Sequence, residues 1–371
     1  MQELRGQIFT SEGKFEPGII TVVGDKTDSV EMCNASQLDD YESDRYIIPG
    51  LVDIHIHGAN GHDVCSSTPD GLRSIVAYEK EHGVTSICLA TMTLEENDLH
   101  KVLHSIAEVN HPNIKGVYLE GPFISAKKCG AQAAEYIVDP DIELLNRLQV
   151  SAKGMIKIVV IAPETPGALN LIKKSGNDFV FSVGHTDADY VTASRAFELG
   201  AKHVTHLYNA MSSFGHRSPG VVGAAADKSR VTVELIADGI HIHPSVVKST
   251  FKIFEADRVC LVSDSTEAAG MPNGDYVLGN KRIHVSNKWA LLEDGTLAGS
   301  ASNLYDCMQS AIKMGIPKEH VVKACTDTPA KVIGMENKVG SLLPGRNADI
   351  LIMDHDFKLE QVIQCEDDIL G

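Results

Sequence analysis

Five short apolar runs in this chain each close on a side chain able to bind a metal ion or move a proton. Val52-Asp53-Ile54-His55-Ile56-His57 sets two histidines two residues apart. Tyr118-Leu119-Glu120, Val183-Gly184-His185, Val204-Thr205-His206 and Leu261-Val262-Ser263-Asp264 follow. A carboxylate or imidazole at the end of an apolar strand is costly unless it is paired or coordinated. One such residue reads equally well as a satisfied core group, whereas five together point to a shared site. Imidazole combined with carboxylate suits zinc or another first-row divalent ion better than calcium or magnesium. Alternate residues of a strand share a face. Asp53, His55 and His57 are therefore expected to point inward together, with Ile54 and Ile56 on the other side. A second pair, His241 and His243, follows Asp238-Gly239-Ile240. His243 precedes Pro244, which reads as the first position of a helix, so it is expected to act as a cap, leaving His241 for substrate contact. The ten histidines outside these two pairs, His185 and His206 read as solvated or structural.

Residues this far apart meet only if the strands that carry them lie side by side. Eight candidate strands occur at 51–57, 85–90, 115–120, 156–161, 179–184, 203–207, 231–237 and 259–263. Helical stretches follow most of them. Asp187 to Leu199, with Gly200 as its cap, and a helix opening at Pro244 are examples. Strands alternating with helices predict βαβ units and a parallel sheet. Eight such units match a (β/α)8 TIM-type barrel of roughly 250 residues, whose active site lies at the C-terminal ends of its strands. Residues 272–299 are rich in Gly, Asn and β-formers and are expected to be a hairpin insertion over the site. Both ends of the chain read as short strands and turns. The expected layout is a small β-sandwich domain from 1–48 plus 337–371, with the barrel over 49–336.

Composition narrows the partners. Among 371 residues, 33 are basic and 50 acidic, a net charge of −17. That balance argues against nucleic acid or an anionic membrane as a partner. A small anion remains compatible, given a local cluster of donors. The 8 cysteines are scattered without a CxxC pair, which excludes a zinc knuckle and a thioredoxin-type motif. Reduced thiols in a cytoplasmic protein are expected. The start, MQELRGQIF, lacks the apolar stretch of a secretion signal, and no apolar run approaches the ~20 residues that span a bilayer.

The motifs PGLVDIHIHG, YLEGPF, SVGHT, THLYNAM followed by RSPG, then ADGIH and LVSD stand in this order from Ile48 to Ser300, with GSLLPGRNADI near the end. In this the chain resembles the N-acetylglucosamine-6-phosphate deacetylases of the amidohydrolase superfamily. HxH and the strand-eight aspartate belong to the whole superfamily, whereas THLYNAM together with LEGPF is far more specific. The resemblance implies a (β/α)8 barrel with a small β domain from both termini. It implies Glu120, His185 and His206 as metal ligands, His55 and His57 completing a second position with Glu120 as bridge, and so one or two divalent ions per chain. Zinc is expected first, then iron, manganese or cobalt. It implies Asp264 as the catalytic acid–base. Ala131, Gln132, Asn209, Ala210, Arg217 and His241 are implied as substrate contacts, together with the Leu297-Ala298-Gly299 loop. Arg217 is implied to reach the neighbouring site of a homodimer. The chain departs from many relatives at Gln132, where they place a histidine.

Superfamily members of the dihydroorotase and hydantoinase types bridge two metals with a carboxylated lysine at the end of strand four. Here that strand ends Ile161-Ala162-Pro163-Glu164, so Glu120 is the available bridge. The expected reaction is hydrolytic deacetylation of N-acetyl-D-glucosamine 6-phosphate. In it, Asp264 takes a proton from metal-activated water and returns it to the leaving amine. His241 or Gln132 would aid the metal in polarising the carbonyl. The rivals are a deacetylase for the galacto epimer, a cyclic-amide amidohydrolase, and a catalytically silent metal-binding barrel, against which the presence of Asp264 speaks.

Overall fold

Runs of β-branched and aliphatic residues bounded by turns build the frame. The computed structural model describes residues 1–364; the last seven positions of the expected terminal β domain, Cys365 among them, lie outside the described residues. The chain opens with β1 (Gln2–Phe9), β2 (Phe15–Val23), β3 (Lys26–Met32) and β4 (Tyr46–Pro49). Barrel strand β5 (Leu51–Ile56) follows, then a two-residue hairpin, β6 (Gly58–Ala59) with β7 (His62–Asp63). The remaining barrel strands are β8 (Val84–Thr91), β9 (Ile114–Leu119), β10 (Ile156–Ile161), β11 (Val180–Val183), β12 (His203–Val204), β13 (Thr232–Ile236) and β14 (Val259–Val262). An insertion carries β15 (Gly274–Leu278), β16 (Lys281–Ser286) and β17 (Trp289–Leu291), and β18 (Ile350–Met353) and β19 (Leu359–Ile363) close the described chain.

The eight barrel strands form one parallel sheet in the order β14-β13-β12-β11-β10-β9-β8-β5. All eight apolar runs expected from sequence are strands, within one to three residues at their ends. β8 is buried along its whole length, as a parallel strand covered on both faces must be. Alternate residues, among them Ile54, Ala90, Tyr118, Val160, Ile236 and Val262, make one buried cluster inside the barrel. The opposite faces join the helices in a larger core. The sheet rolls up at its mouth, where the Asp264 N–H donates to the His55 carbonyl at 3.0 Å and the His57 N–H to the Ser265 carbonyl at 2.8 Å.

Asp53 departs from expectation. The pairing of β5 with β8 slips between Asp53 and Ile56, so strict alternation fails there. The Asp53 carboxylate accepts the backbone N–H groups of Ser263 and His55, each at 3.2 Å, instead of facing the cavity. It ties the first barrel strand to the last. The Tyr190–Leu199 helix also starts later than expected, because Asp189 caps it by accepting the Thr192 N–H at 2.8 Å. His243 caps the Pro244–Phe254 helix. The insertion is a three-stranded meander, β15-β16-β17, rather than a single hairpin. Its apolar side, Leu278, Ile283, Val285 and Ala290, packs against Met92 and Ala298.

Strands from both ends of the chain form a six-stranded sheet, β19-β18-β4-β1-β2-β3. Leu4, Ile8, Ile20, Ile47, Ile350 and Ile352 build its own buried cluster. β18 lies antiparallel to β4, one residue before β5 begins, so the two ends of the chain anchor the entry to the barrel. Among the described residues no helix is long and apolar enough to cross a membrane. The seven described cysteines are free.

Candidate metal centre and active site

Three of the residues that close barrel strands leave the β region. His185, His206 and Asp264 have φ of 46°, 24° and 50°. Such a conformation is sparsely populated by non-glycine residues and is retained where the surroundings over-determine it. It cannot continue a pleat, so each strand stops there and its last side chain turns into the mouth. The surroundings hold them: Leu207 N–H donates to the Glu234 carbonyl, and Ser300 N–H to the Asp264 carbonyl, at 2.9 and 2.7 Å. Gly299, at φ 60°, makes this approach feasible. A Cβ there would lie 3.0 Å from the Asp264 carbonyl oxygen and 2.6 Å from the Thr266 methyl.

The ligand atoms converge. Glu120 Oε1 lies 3.1 Å from both His185 Nε2 and His206 Nε2, and these two nitrogens are 3.1 Å apart. On the other side, Glu120 Oε2 lies 2.9 Å from His57 Nε2, and His55 Nε2 is 3.2 Å from His57 Nε2. Asp264 Oδ1 stands 3.3 Å from His57 and 3.5 Å from His55. The residues thus form two clusters sharing Glu120: His55, His57 and Glu120, and Glu120, His185 and His206, every member buried.

Hydrogen bonding fixes which atoms hold lone pairs. His185 Nδ1 meets the Lys128 carbonyl at 2.9 Å, and a carbonyl only accepts, so Nδ1 carries hydrogen and Nε2 of the neutral ring faces Glu120 as a lone pair. His55 Nδ1 donates to Glu234 at 3.0 Å, which turns its Nε2 lone pair to the same centre. His57 Nδ1 and His206 Nδ1 are buried with no partner. Neutral rings would thus aim lone pairs at carboxylate oxygens, an arrangement that needs positive charge in its middle. A divalent cation fits that demand in charge, in donor type and in ligand number.

The electrostatics of His55, His57 and Glu120 point the same way. Burial pushes the His57 ring down, but hydrogen bonds to Asp264 and Glu120 outweigh it and raise its pKa to about 9. Burial also opposes charge on His55, yet Glu120, Glu234 and Asp264 around it drive its pKa well up. Burial would raise Glu120, but His55 and the bonds from His185 and His206 hold it well below the usual carboxylate range.

A cavity of about 270 Å³ opens above this centre, just below the ~300–1,000 Å³ range of drug-sized ligand sites. His57, Glu120, His185, His206 and Asp264 form its floor, while His55 lies beneath, out of contact with it. Its walls hold Ala131 and Gln132, Asn209 and Ala210, His241, and Leu297, Ala298 and Gly299. Leu278 from the insertion and Met92 also line it. Gln132 is fully engaged within the protein. Its carbonyl accepts the Thr93 N–H at 2.6 Å and its amide donates to Glu120 Oε2 at 2.8 Å. His241 is fixed through Nδ1 by Asp238 at 2.8 Å, leaving Nε2 to the cavity. Burial acts to raise Asp238, but the bond from His241 holds its carboxyl below its ordinary value. Arg217 lies apart, exposed in the loop before the Gly220–Ala226 helix and outside the cavity lining of this single chain. Glu164, at the end of β10, bonds the Asp187 N–H at 2.6 Å and belongs to a loop brace, not to the centre.

Sequence reasoning passed over several residues that shape the site. Glu234 on β13, fully buried, accepts His55 Nδ1–H. His203 pairs with the other Glu234 oxygen. The Tyr118 ring stacks under His55 with centroids 4.1 Å apart. The signal for Glu234 was present: a carboxylate in the apolar strand Val-Glu-Leu-Ile must meet a buried partner.

Comparison with known proteins agrees with this architecture. Residues 46–368 match the model of the Amidohydrolase family. The N-acetylglucosamine-6-phosphate deacetylase of Bacillus subtilis (strain 168) is 36% identical over 324 residues, covering 85% of this chain and 82% of the relative. An N-acetylgalactosamine-6-phosphate deacetylase of Escherichia coli is 31% identical, covering 85% of each. An aspartate-to-alanine variant of the Mycobacterium smegmatis N-acetyl-D-glucosamine-6-phosphate deacetylase, solved with N-acetyl-D-glucosamine-6-phosphate, superposes with a TM-score of 0.91. It is 30% identical and covers 98% of this chain and 97% of its own.

Proposed function

This chain belongs to the amidohydrolase family, and from that premise we propose that it hydrolyses the acetamide of N-acetyl-D-glucosamine 6-phosphate to glucosamine 6-phosphate and acetate. The observation that carries the reading is the Glu120-centred double cluster with Asp264 beside it, at the floor of a cavity of single-ligand size, in a chain akin throughout to deacetylases of this class.

When bound, a divalent cation supplies Lewis acidity, lowering the pKa of a water and polarising the amide carbonyl. Glu120, His185 and His206 would hold one ion, and His55, His57 and Glu120 a second. Zinc suits this donor set best. Asp264 Oδ1 accepts a proton from the attacking water as its oxygen adds to the carbonyl carbon. The same carboxyl group then gives that proton to the nitrogen while the C–N bond breaks, a general base turned general acid. His241, locked in orientation by Asp238, is assigned to the acetamide oxygen, since a ring donating through Nε2 stabilises the charge that develops there. Gln132 is assigned to holding Glu120, and contacts substrate only if the bound sugar displaces that bond. Asn209, Ala210 and the Leu297-Ala298-Gly299 loop are assigned to the sugar.

Arg217 is assigned to binding the substrate's phosphate. Its exposure away from this chain's own cavity supports a homodimer in which it reaches the neighbouring site. A cytoplasmic location suits the phosphorylated substrate and the free thiols. The proposed boundaries place the barrel at 49–336, with 1–48 and 337–371 as the small β domain. A second reading, the galacto epimer as substrate, draws on the Escherichia coli relative. The test is acetate release from a panel of N-acetylated sugar 6-phosphates, their unphosphorylated parents and cyclic amides. Preference for the gluco 6-phosphate is expected. Equal turnover of phosphorylated and unphosphorylated amides would refute the assignment.

A further inference from the structure

Below the two clusters lies one carboxylate that touches both. Glu234 is 0% exposed. Its Oε2 accepts His55 Nδ1–H at 3.0 Å and also the backbone N–H of His206 at 3.0 Å. Its Oε1 meets His203 Nε2 at 3.0 Å, and His203 Nδ1 meets Thr232 Oγ1 at 2.6 Å. The carboxylate therefore has three donors and no spare demand, which is how a fully buried charge is tolerated. Two of those donors belong to residues of different clusters: His55 from the HxH pair, through its ring, and His206 from the Glu120-His185-His206 group, through its main chain.

We propose that Glu234 is a positioning residue shared by the two cation positions, setting the His55 ring and the strained His206 backbone at once, and so coupling their affinities. The proposal rests on the reading that both clusters bind cations. The physical basis is twofold. A carboxylate on the far nitrogen of a ligating imidazole fixes its tautomer and orientation and raises its basicity. At His206, where φ is 24°, the Oε2 bond together with the Leu207 N–H bond to the Glu234 carbonyl pins the turn that aims Nε2 at Glu120. The anchor on His203 and Thr232 prevents the carboxylate from swinging toward one cluster at the expense of the other.

Two substitutions separate charge from geometry. In Glu234→Gln the amide oxygen can still accept from His55 and His206 while the amide nitrogen donates to a reversed His203 tautomer, so the bonds persist in place, but those to His55 and His206 both lose their charge assistance and weaken. Glu234→Ala removes both. The proteins are stripped by chelation and titrated with Co2+. Ion content is measured by elemental analysis, affinity by competition with a chelator, and ligand geometry by the cobalt visible spectrum. Far-UV circular dichroism and melting of the ion-free proteins report folding separately.

Wild type is expected to take two ions per chain. Glu234→Gln should take two with affinity roughly 10–100-fold weaker, the usual scale for removing such an outer partner, and with the weakening felt at both positions. Glu234→Ala should retain one at most. Wild-type affinity at both positions in a folded Glu234→Gln protein would overturn the proposal, and that variant decides the matter if Glu234→Ala does not fold. Weakening confined to the His55 position would also overturn the coupling. Wild type that binds no ion would instead refute the reading of the clusters, and this proposal with it.

Discussion

Replacing Asp264 by asparagine isolates the proton transfer from everything else the residue does. Asparagine keeps the shape, and it is among the few residues that accept a left-handed backbone readily, so the φ of 50° at this position adds little strain. The main-chain bonds from Asp264 N–H to His55 and from Ser300 N–H to Asp264 do not involve the side chain. The metal at Glu120, His185 and His206 should also stay, since those three are set by one another and His185 by the Lys128 carbonyl. What is lost is a basic oxygen 3.3 Å from His57 Nε2 at the cavity floor. A positioned general acid–base contributes typically ~10²–10⁴-fold, or about 3–5 kcal/mol of barrier at ~1.36 kcal/mol per factor of ten. The expectation is a kcat lowered by roughly 10²-fold or more, with KM near wild type and this metal retained. Steady-state acetate release and elemental analysis on the same preparation measure it. A fall of less than tenfold with metal retained, or a defect confined to KM, would refute the assigned role.

The joined substitution His55→Gln with His57→Asn should lower ion content by one per chain while Glu120, His185 and His206 keep theirs. Identical content in variant and wild type would make the pair structural. Arg217→Ala should raise KM for the 6-phosphate roughly tenfold or more, since a hydrogen bond to a charged group is worth ~1.5–3 kcal/mol, and leave the unphosphorylated sugar unchanged. Equal loss on both would assign Arg217 to loop structure. Glu79 sits buried with both carboxyl oxygens unpartnered, and burial drives its pKa well above the ordinary 4.5. A raised acid contributes its full stability below its unfolded pKa and loses it as pH climbs through the folded one. Glu79→Gln should therefore match wild type in melting temperature near pH 4.5 and gain on it steadily as pH rises. A difference independent of pH would show that Glu79 does not titrate in this way.

Much of the architecture was legible before the fold was known. Apolar runs bounded by glycine, proline and polar residues mark all eight barrel strands, because a strand covered on both faces must be apolar along its length. Polar residues at the ends of such runs pick out Glu120, His185, His206 and Asp264, because nothing else explains their cost there. Local rules were weaker where two local signals competed. Asp187 and Asp189 are both able to cap the helix that ends at Leu199, and the Thr192 N–H goes to Asp189. The 272–299 segment carried β-formers without saying how many strands they make.

What the tertiary structure alone decided were the partners. Alternation placed Asp53 with His55 and His57, but the slip between β5 and β8 sends its carboxylate to Ser263, 210 residues away. Gln132 carried no local sign of being spent on Glu120 and Thr93. Glu234 lies 179 residues from His55 and 28 from His206, and no periodicity relates them. Secondary structure follows from short-range sterics and hydrophobic pattern, which the chain displays in order. The protonation, tautomer and aim of a buried group depend on which distant donors the closed barrel brings within about 3 Å, and that is a property of the fold.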